Sequence, residues 1–168
     1  MGNKNINKVT ITYKGFTPYL HQRAVINEIK DGLKTNKKVV VVSSRQKGKS
    51  FMIANLLLYY SINYKETKNF CLSPTLKQAK NIYDLIYNVL INSPERIITK
   101  ANATDLEIVL RNNSKIKFCS AEQRDALRGY TVNGLLCIDE CCYIPDDIFY
   151  TILPWCDAHK APILMTST

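Results

Sequence analysis

Histidine is nearly missing from this chain, with two (His21 and His159) in 168 residues, and neither stands close in sequence to a pair of cysteines. The six cysteines, Cys71, Cys119, Cys137, Cys141, Cys142 and Cys156, include no pair at C-x2-C spacing. A zinc site built from paired Cys and His ligands therefore has no support. Cys71, Cys119 and Cys137 sit inside the apolar runs NFCLS, IKFCS and LLCID, where a thiol behaves as a small buried hydrophobe. No apolar run approaches the ~20 residues that a bilayer-spanning helix needs. No secretory leader is recognisable, and Met1-Gly2 is followed by Ile6 where N-myristoylation requires Ser or Thr. These absences argue against a membrane partner and point to a cytoplasmic protein with reduced thiols.

Acidic residues are scarce at the front. Residues 1–50 hold eleven Lys and Arg against two Asp and Glu, and residues 51–168 hold twelve of each, so the whole net charge of +9 falls in the first part. A basic front edge suits a polyanion, either nucleotide phosphates or a nucleic-acid backbone. For Lys4, Lys8, Lys14, Lys37 and Lys38 taken singly, a solvated surface is the better reading. At 46% apolar and 22% charged residues the rest is ordinary for a globular protein, and the length suits a single domain, 1–168, with an arm over about 1–17.

The pattern of what is present alternates strands and helices. Pro18 opens a helix over Tyr19 to Leu33, with apolar residues at Val25, Ile26, Ile29 and Leu33. Val39-Val40-Val41-Val42 reads as a β-branched strand of the kind buried on both faces of a parallel sheet. A helix over Ser50 to Asn63, a strand over Phe70 to Ser73 and a helix over Leu76 to Ile91 follow. Leu106 to Leu110 and Ile116 to Cys119 flank the turn-forming Arg111-Asn112-Asn113-Ser114 and predict a β-hairpin insertion. Leu135 to Asp139 is a further buried strand, a short helix follows Pro145, and Pro162 to Thr166 begins a fourth core strand. The expected fold is α/β, with a mainly parallel central sheet flanked by helices.

The first strand runs straight into Ser43-Ser44-Arg45-Gln46-Lys47-Gly48-Lys49-Ser50, and a helix starts at Ser50. This is the phosphate-loop pattern G-x-x-x-x-G-K-[ST] with Ser43 in place of the first glycine. Such a loop turns backbone N–H groups inward around a phosphate, and Gly48 allows the close approach. Lys49 brings a charge to the β- and γ-phosphates of ATP, and Ser50 offers a hydroxyl to Mg2+ at a helix N-terminus. The strand–loop–helix context separates this pattern from a chance match. About 90 residues on, Asp139-Glu140 ends an apolar strand, where open α/β sheets bind ligands. Asp139 is placed to hold Mg2+ and Glu140 to orient and deprotonate an attacking water.

Several segments resemble the large terminase ATPases of tailed viruses, and the resemblance runs over nearly the whole chain. SSRQKGKS is similar to that family's phosphate loop, Cys71 to Ala79 (CLSPTLKQA) to its strand-then-SPT-x-x-QA segment, and IDECCYIPDDIF to its acidic motif and following helix. Ala126-Leu127-Arg128-Gly129 resembles the stretch before that motif. Thr166-Ser167-Thr168 resembles its coupling motif, whose hydroxyls sense the nucleotide. Tyr19-Leu20-His21-Gln22 resembles an adenine-reading segment, and Gln22 is equally readable as a surface residue of an amphipathic helix. Arg45 is read on the γ-phosphate, with a solvated loop residue as the alternative. Arg128 is read as an arginine reaching a neighbouring subunit's nucleotide, against a structural salt bridge.

The resemblance implies a RecA-like ASCE P-loop fold, ATP hydrolysis with Mg2+, and translocation of double-stranded DNA. It also implies work with a portal protein and a small terminase subunit, assembly as a homo-oligomeric ring, and a place in the host cytoplasm. It further implies a fifth core strand and a nuclease domain after Thr168, so the expectation is an ATPase domain truncated before its last core strand, with Val39 to Val42 at a sheet edge. Two rivals stay open. One is the first motor domain of a superfamily-two helicase, which shares the loop, the acidic pair and a Ser/Thr coupling motif. The other is a fragment that binds nucleotide or DNA without turnover.

Overall fold

The computed structural model of the chain describes residues 20–35, 38–44, 47–93 and 96–168. Eleven regular elements follow one another: α1 (Leu20–Thr35), β1 (Lys38–Val42), α2 (Lys49–Asn63), β2 (Lys68–Ser73), α3 (Leu76–Ile91), β3 (Ile98–Asn102), β4 (Glu107–Leu110), β5 (Lys115–Ser120), β6 (Leu136–Ile138), α4 (Asp146–Ile152) and β7 (Ile163–Ser167). The strands form one sheet in the order β1-β7-β6-β2-β5-β4-β3. The first five in that order run parallel, and β4 and β3 add antiparallel at the far side. The α/β expectation holds.

Alternation along the strands sorts the core into two layers. Cys71, Ile116, Phe118, Cys137 and Leu164 pack with α1, α2 and α3 through Ile29, Leu33, Ile53, Leu57, Ile82 and Ile86. Phe70, Leu72, Leu136, Ile138 and Ile163 face the other way, against Ile148 and Ile152 of α4 and against Trp155. Tyr130 and Trp155 close that second layer over Phe70, with ring centroids 4.8 Å and 5.2 Å from the Phe70 ring. Those interleaved faces are why β2, β6 and β7 read as unbroken apolar runs.

The start of α3 is held by reciprocal capping. The Thr75 hydroxyl accepts from the backbone N–H of Gln78 at 3.3 Å, and the Gln78 side chain accepts from the Thr75 N–H at 3.1 Å. Thr75 and Gln78 of the SPT-x-x-QA segment are thus accounted for as a capping box. At the opposite end of the sheet Gly134 permits a close approach. A Cβ there would lie 2.1 Å from the Asn69 side-chain oxygen, which accepts from the N–H of Leu135 at 2.8 Å.

One expectation needs correction. β1 is parallel to β7 but is not buried on both faces. Val39 and Val41 pack on the helical layer, while Val40 and Val42 are 57% and 71% exposed, and among the described residues β1 is the sheet's edge. A four-valine run cannot distinguish an edge strand from a central one. The expected hairpin is observed as β4 and β5, and because β5 pairs in parallel with β2 it carries β4 and β3 into the main sheet. Finally, β3 was not foreseen. It has no buried residue, and its mixed composition, ITKAN, gives no alternating signal.

Candidate active site

The functional residues gather at the carboxyl ends of β1, β7 and β6, over the start of α2. Gly48 takes φ +79°, a left-handed conformation that costs glycine nothing, and turns the chain from the loop into α2. Lys49 follows with its side chain 8% exposed. Its Nζ donates to the Ser43 carbonyl at 3.1 Å and to Thr168 Oγ1 at 3.2 Å, and pairs with Glu140 Oε1 at 3.3 Å. Ser43 is tied to β7 by its N–H, which donates to the Ser167 carbonyl at 3.1 Å.

Asp139 and Glu140 follow β6. The Asp139 N–H donates to the Leu72 carbonyl at 2.8 Å, so the strand ladder extends one step beyond Ile138. Its carboxylate accepts from Thr166 Oγ1 at 2.8 Å, and the Glu140 N–H reaches the same hydroxyl at 3.4 Å. Thr168 Oγ1 donates to the second oxygen of Glu140. Glu140 itself has φ +45° and ψ +53°, a left-handed backbone uncommon for a residue with a side chain. Strain of this kind costs of order 1–3 kcal/mol and concentrates at functional sites. Here it turns the Glu140 side chain toward Lys49 directly after Asp139 has entered the buried ladder.

Burial pushes the Asp139 carboxyl above its ordinary range, the Thr166 hydrogen bond opposes that rise, and the neighbouring Glu140 charge adds to it. With the folded value above the unfolded one, the stability associated with this group is greatest below the ordinary carboxylate range. It is lost as pH rises through the raised value. In the absence of metal, Asp139→Asn should therefore raise the melting temperature at pH 7, and the gain should vanish as pH falls through the raised value. Melting curves of the two proteins across pH 3–8 check the sign; a variant less stable than the parent at pH 7 contradicts it.

Among the described residues no three His, Cys, Asp or Glu side chains converge as a ready-made metal cage. Mg2+ needs no such cage. It is commonly held by one or two protein oxygens together with phosphates and water. The buried Asp139 carboxylate, and Ser50 in the first turn of α2, supply oxygen donors of that kind.

Of the remaining residues singled out in the sequence, Ser44 and Lys47 are exposed beside the loop. Thr166, Ser167 and Thr168 line the β7 side of the site. Arg128 is exposed at the end of a short 3-10 turn (Arg124–Leu127), and among the described residues it enters no ion pair; Arg124 pairs with Asp147 instead. Tyr19, Arg45 and Gln46 lie outside the described residues, as does the side chain of Gln22, which is placed only as a position on α1. Sequence reading missed Ser73, a buried residue at the end of β2 whose hydroxyl has no hydrogen-bond partner. A serine after an apolar run reads as a helix-capping signal, and nothing local distinguishes the two.

No curated protein matches the chain in sequence. Solved structures do match its fold. The ATPase domain of the large terminase from Thermus phage P74-26 superposes with a TM-score of 0.75 at 21% identity, over 90% of this chain and 65% of that one. The large terminase of bacteriophage HK97 gives 0.78 at 20% identity, over 90% of this chain and 33% of its own. A large terminase from a thermophilic bacteriophage, in complex with ATP-gamma-S, gives 0.67 at 13% identity over 89% and 38%. The chain thus spans under two thirds of each of these relatives. The family model described as terminase large subunit, T4likevirus-type, N-terminal, matches residues 40–151, from β1 through α4. The chain belongs to that terminase large-subunit N-terminal family.

Proposed function

We propose that the chain is the ATP-binding and hydrolysing motor domain of a terminase large subunit, which drives double-stranded DNA into a procapsid. The observation that supports this most is the convergence of Lys49, Glu140 and Thr168, residues up to 119 positions apart, on one hydrogen-bonded cluster around the buried Lys49. A solvated basic turn and a solvated acidic loop have no reason to meet there. In this reading the backbone of Ser43, Ser44 and Lys47–Lys49 cradles the phosphates, Arg45 and Gln46 complete the loop, and Tyr19 and Gln22 read adenine. Ser50 and Asp139 would hold Mg2+, which when bound screens phosphate charge. Glu140 takes the proton from the attacking water. Thr166, Ser167 and Thr168 connect the acidic pair to β7 and relay the nucleotide state. Portal protein, small terminase subunit, a homo-oligomeric ring and the host cytoplasm belong to the same proposal.

Among the described residues no helix is long and apolar enough to cross a membrane. The chain should bind ATP in the presence of Mg2+ and release phosphate, with binding read by calorimetry and release by a coupled assay. Binding without turnover at any protein concentration supports a nucleotide-binding fragment instead. No binding removes the ATPase reading.

A further inference from the structure

We propose that Ser73 is an unassigned member of the divalent-cation site, engaging the cation through a water molecule shared with Asp139. The inference deepens the ATPase reading and rests on it. Ser73 is fully buried, and its Oγ is the one buried side-chain polar atom among the described residues with no hydrogen-bond partner. A hydroxyl sealed from solvent without a partner carries an uncompensated desolvation cost, which native proteins accept rarely and mostly where something else supplies the bond.

Strand register places that hydroxyl beside the acidic pair. β2 and β6 pair in parallel as Cys71 with Cys137 and Leu72 with Ile138. The Asp139 N–H continues the ladder onto the Leu72 carbonyl. Ser73 therefore stands next to Asp139 at the same level of the sheet. Cys71, Cys137 and Leu164 share the helical layer, so two residues further on Ser73, Asp139 and Thr166 project to that same side, where α2 begins with Lys49 and Ser50. Adjacent strands lie about 4.8 Å apart. Ser73 Oγ and the Asp139 carboxylate form no direct hydrogen bond, and a single water taken in with the cation would connect them.

The other polar groups nearby are engaged elsewhere. Thr166 is committed to Asp139, and the Ser120 hydroxyl, opposite Ser73 on β5, faces Gln123 Oε1 at 3.5 Å. The Cys71 thiol interacts with Ser73, but burial holds it protonated, and a thiol is a weak partner. Ser73 also leads directly into Pro74 and the Thr75 cap of α3, so a cation engaged there would be felt at the start of that helix.

Ser73→Ala removes the hydroxyl with little change of shape, and Ser120→Ala serves as its neighbour control. The probe is Mn2+, followed by paramagnetic resonance on the full chain, with and without ADP. Ser73→Ala should weaken Mn2+ binding about tenfold or more, as loss of an outer-sphere partner does. Its metal-free melting temperature should equal or exceed the parent's, and its affinity for ADP in EDTA should be unchanged. Ser120→Ala should leave Mn2+ affinity as it is. Unchanged Mn2+ affinity in Ser73→Ala overturns the proposal. A drop in metal-free stability overturns it too, because the hydroxyl would then be bonded within the core. If the parent chain binds ADP but no Mn2+, the Ser73 assignment fails while nucleotide binding stands; if it binds neither, both fail.

Discussion

Glu140→Gln should bind ATP as tightly as the parent and turn over at least about 10²-fold more slowly, while Lys49→Ala should not bind ATP measurably. The two residues form an ion pair at 3.3 Å, yet the proposed chemistry assigns them to different steps. In the proposed function Lys49 is the buried cation that meets the β- and γ-phosphates, so its removal would take away the charge on which binding depends. Glu140, as the proposed base, would act on the water and lower the barrier, with preorganised bases and charges typically worth about 10²-fold or more in rate. Glutamine keeps the volume, its single oxygen can still accept from Lys49 and its amide N–H can donate to the Thr168 hydroxyl, so the site keeps its shape. Calorimetric ATP titration and phosphate release, run side by side, separate the roles. Equal loss of binding in both variants would show that the ion pair, not the division of labour, is what the site needs.

The same contact bears on how ATP would be admitted. Lys49 has three partners, the Ser43 carbonyl, Thr168 and Glu140, and a phosphate must replace some of them. In the proposed ATPase reading, Lys49 would move to the phosphates and Glu140 would lose its counter-ion and face water. Occupancy and activation of the base would then be one event, with Thr168, hydrogen-bonded to both side chains, linking it to β7.

Much of this arrangement was legible before any coordinates. The β1–loop–α2 unit and the strand ending at Asp139 follow from apolar runs broken by residues no core would place there. α3 was predicted as Leu76 to Ile91 and is observed over those residues, because its capping box is written locally in Thr75 and Gln78. What stayed hidden depends on long-range pairing. The edge position of β1, expected from the family resemblance, is not written in its own residues, because its neighbour β7 enters the sheet more than 120 residues later. The αL turn at Glu140 has no glycine to announce it. The placement of Ser73 next to Asp139 arises only because β6 comes to lie beside β2.

Arg128→Ala should slow turnover by roughly 10³–10⁵, the range for an arginine acting on a neighbour's nucleotide, provided the protein is concentrated enough to associate. Arg128 stands exposed after the 3-10 turn Arg124–Leu127 and before Gly129, whose φ of +82° bends the chain sharply. Among the described residues its guanidinium enters no ion pair, whereas Arg124, four residues earlier, is held by Asp147. Arg124→Ala, which breaks that exposed pair, should change stability by no more than about 1 kcal/mol. A trans role has a signature that a local role lacks. Arg128→Ala keeps an intact nucleotide site without its finger; Glu140→Gln keeps the finger over a dead site. Mixed at high concentration, the two inactive proteins should recover activity that neither shows alone, and the parent's specific activity should fall on dilution. A mixture no faster than the sum of its parts, with parent activity strictly proportional to concentration, would remove Arg128 from the neighbouring site.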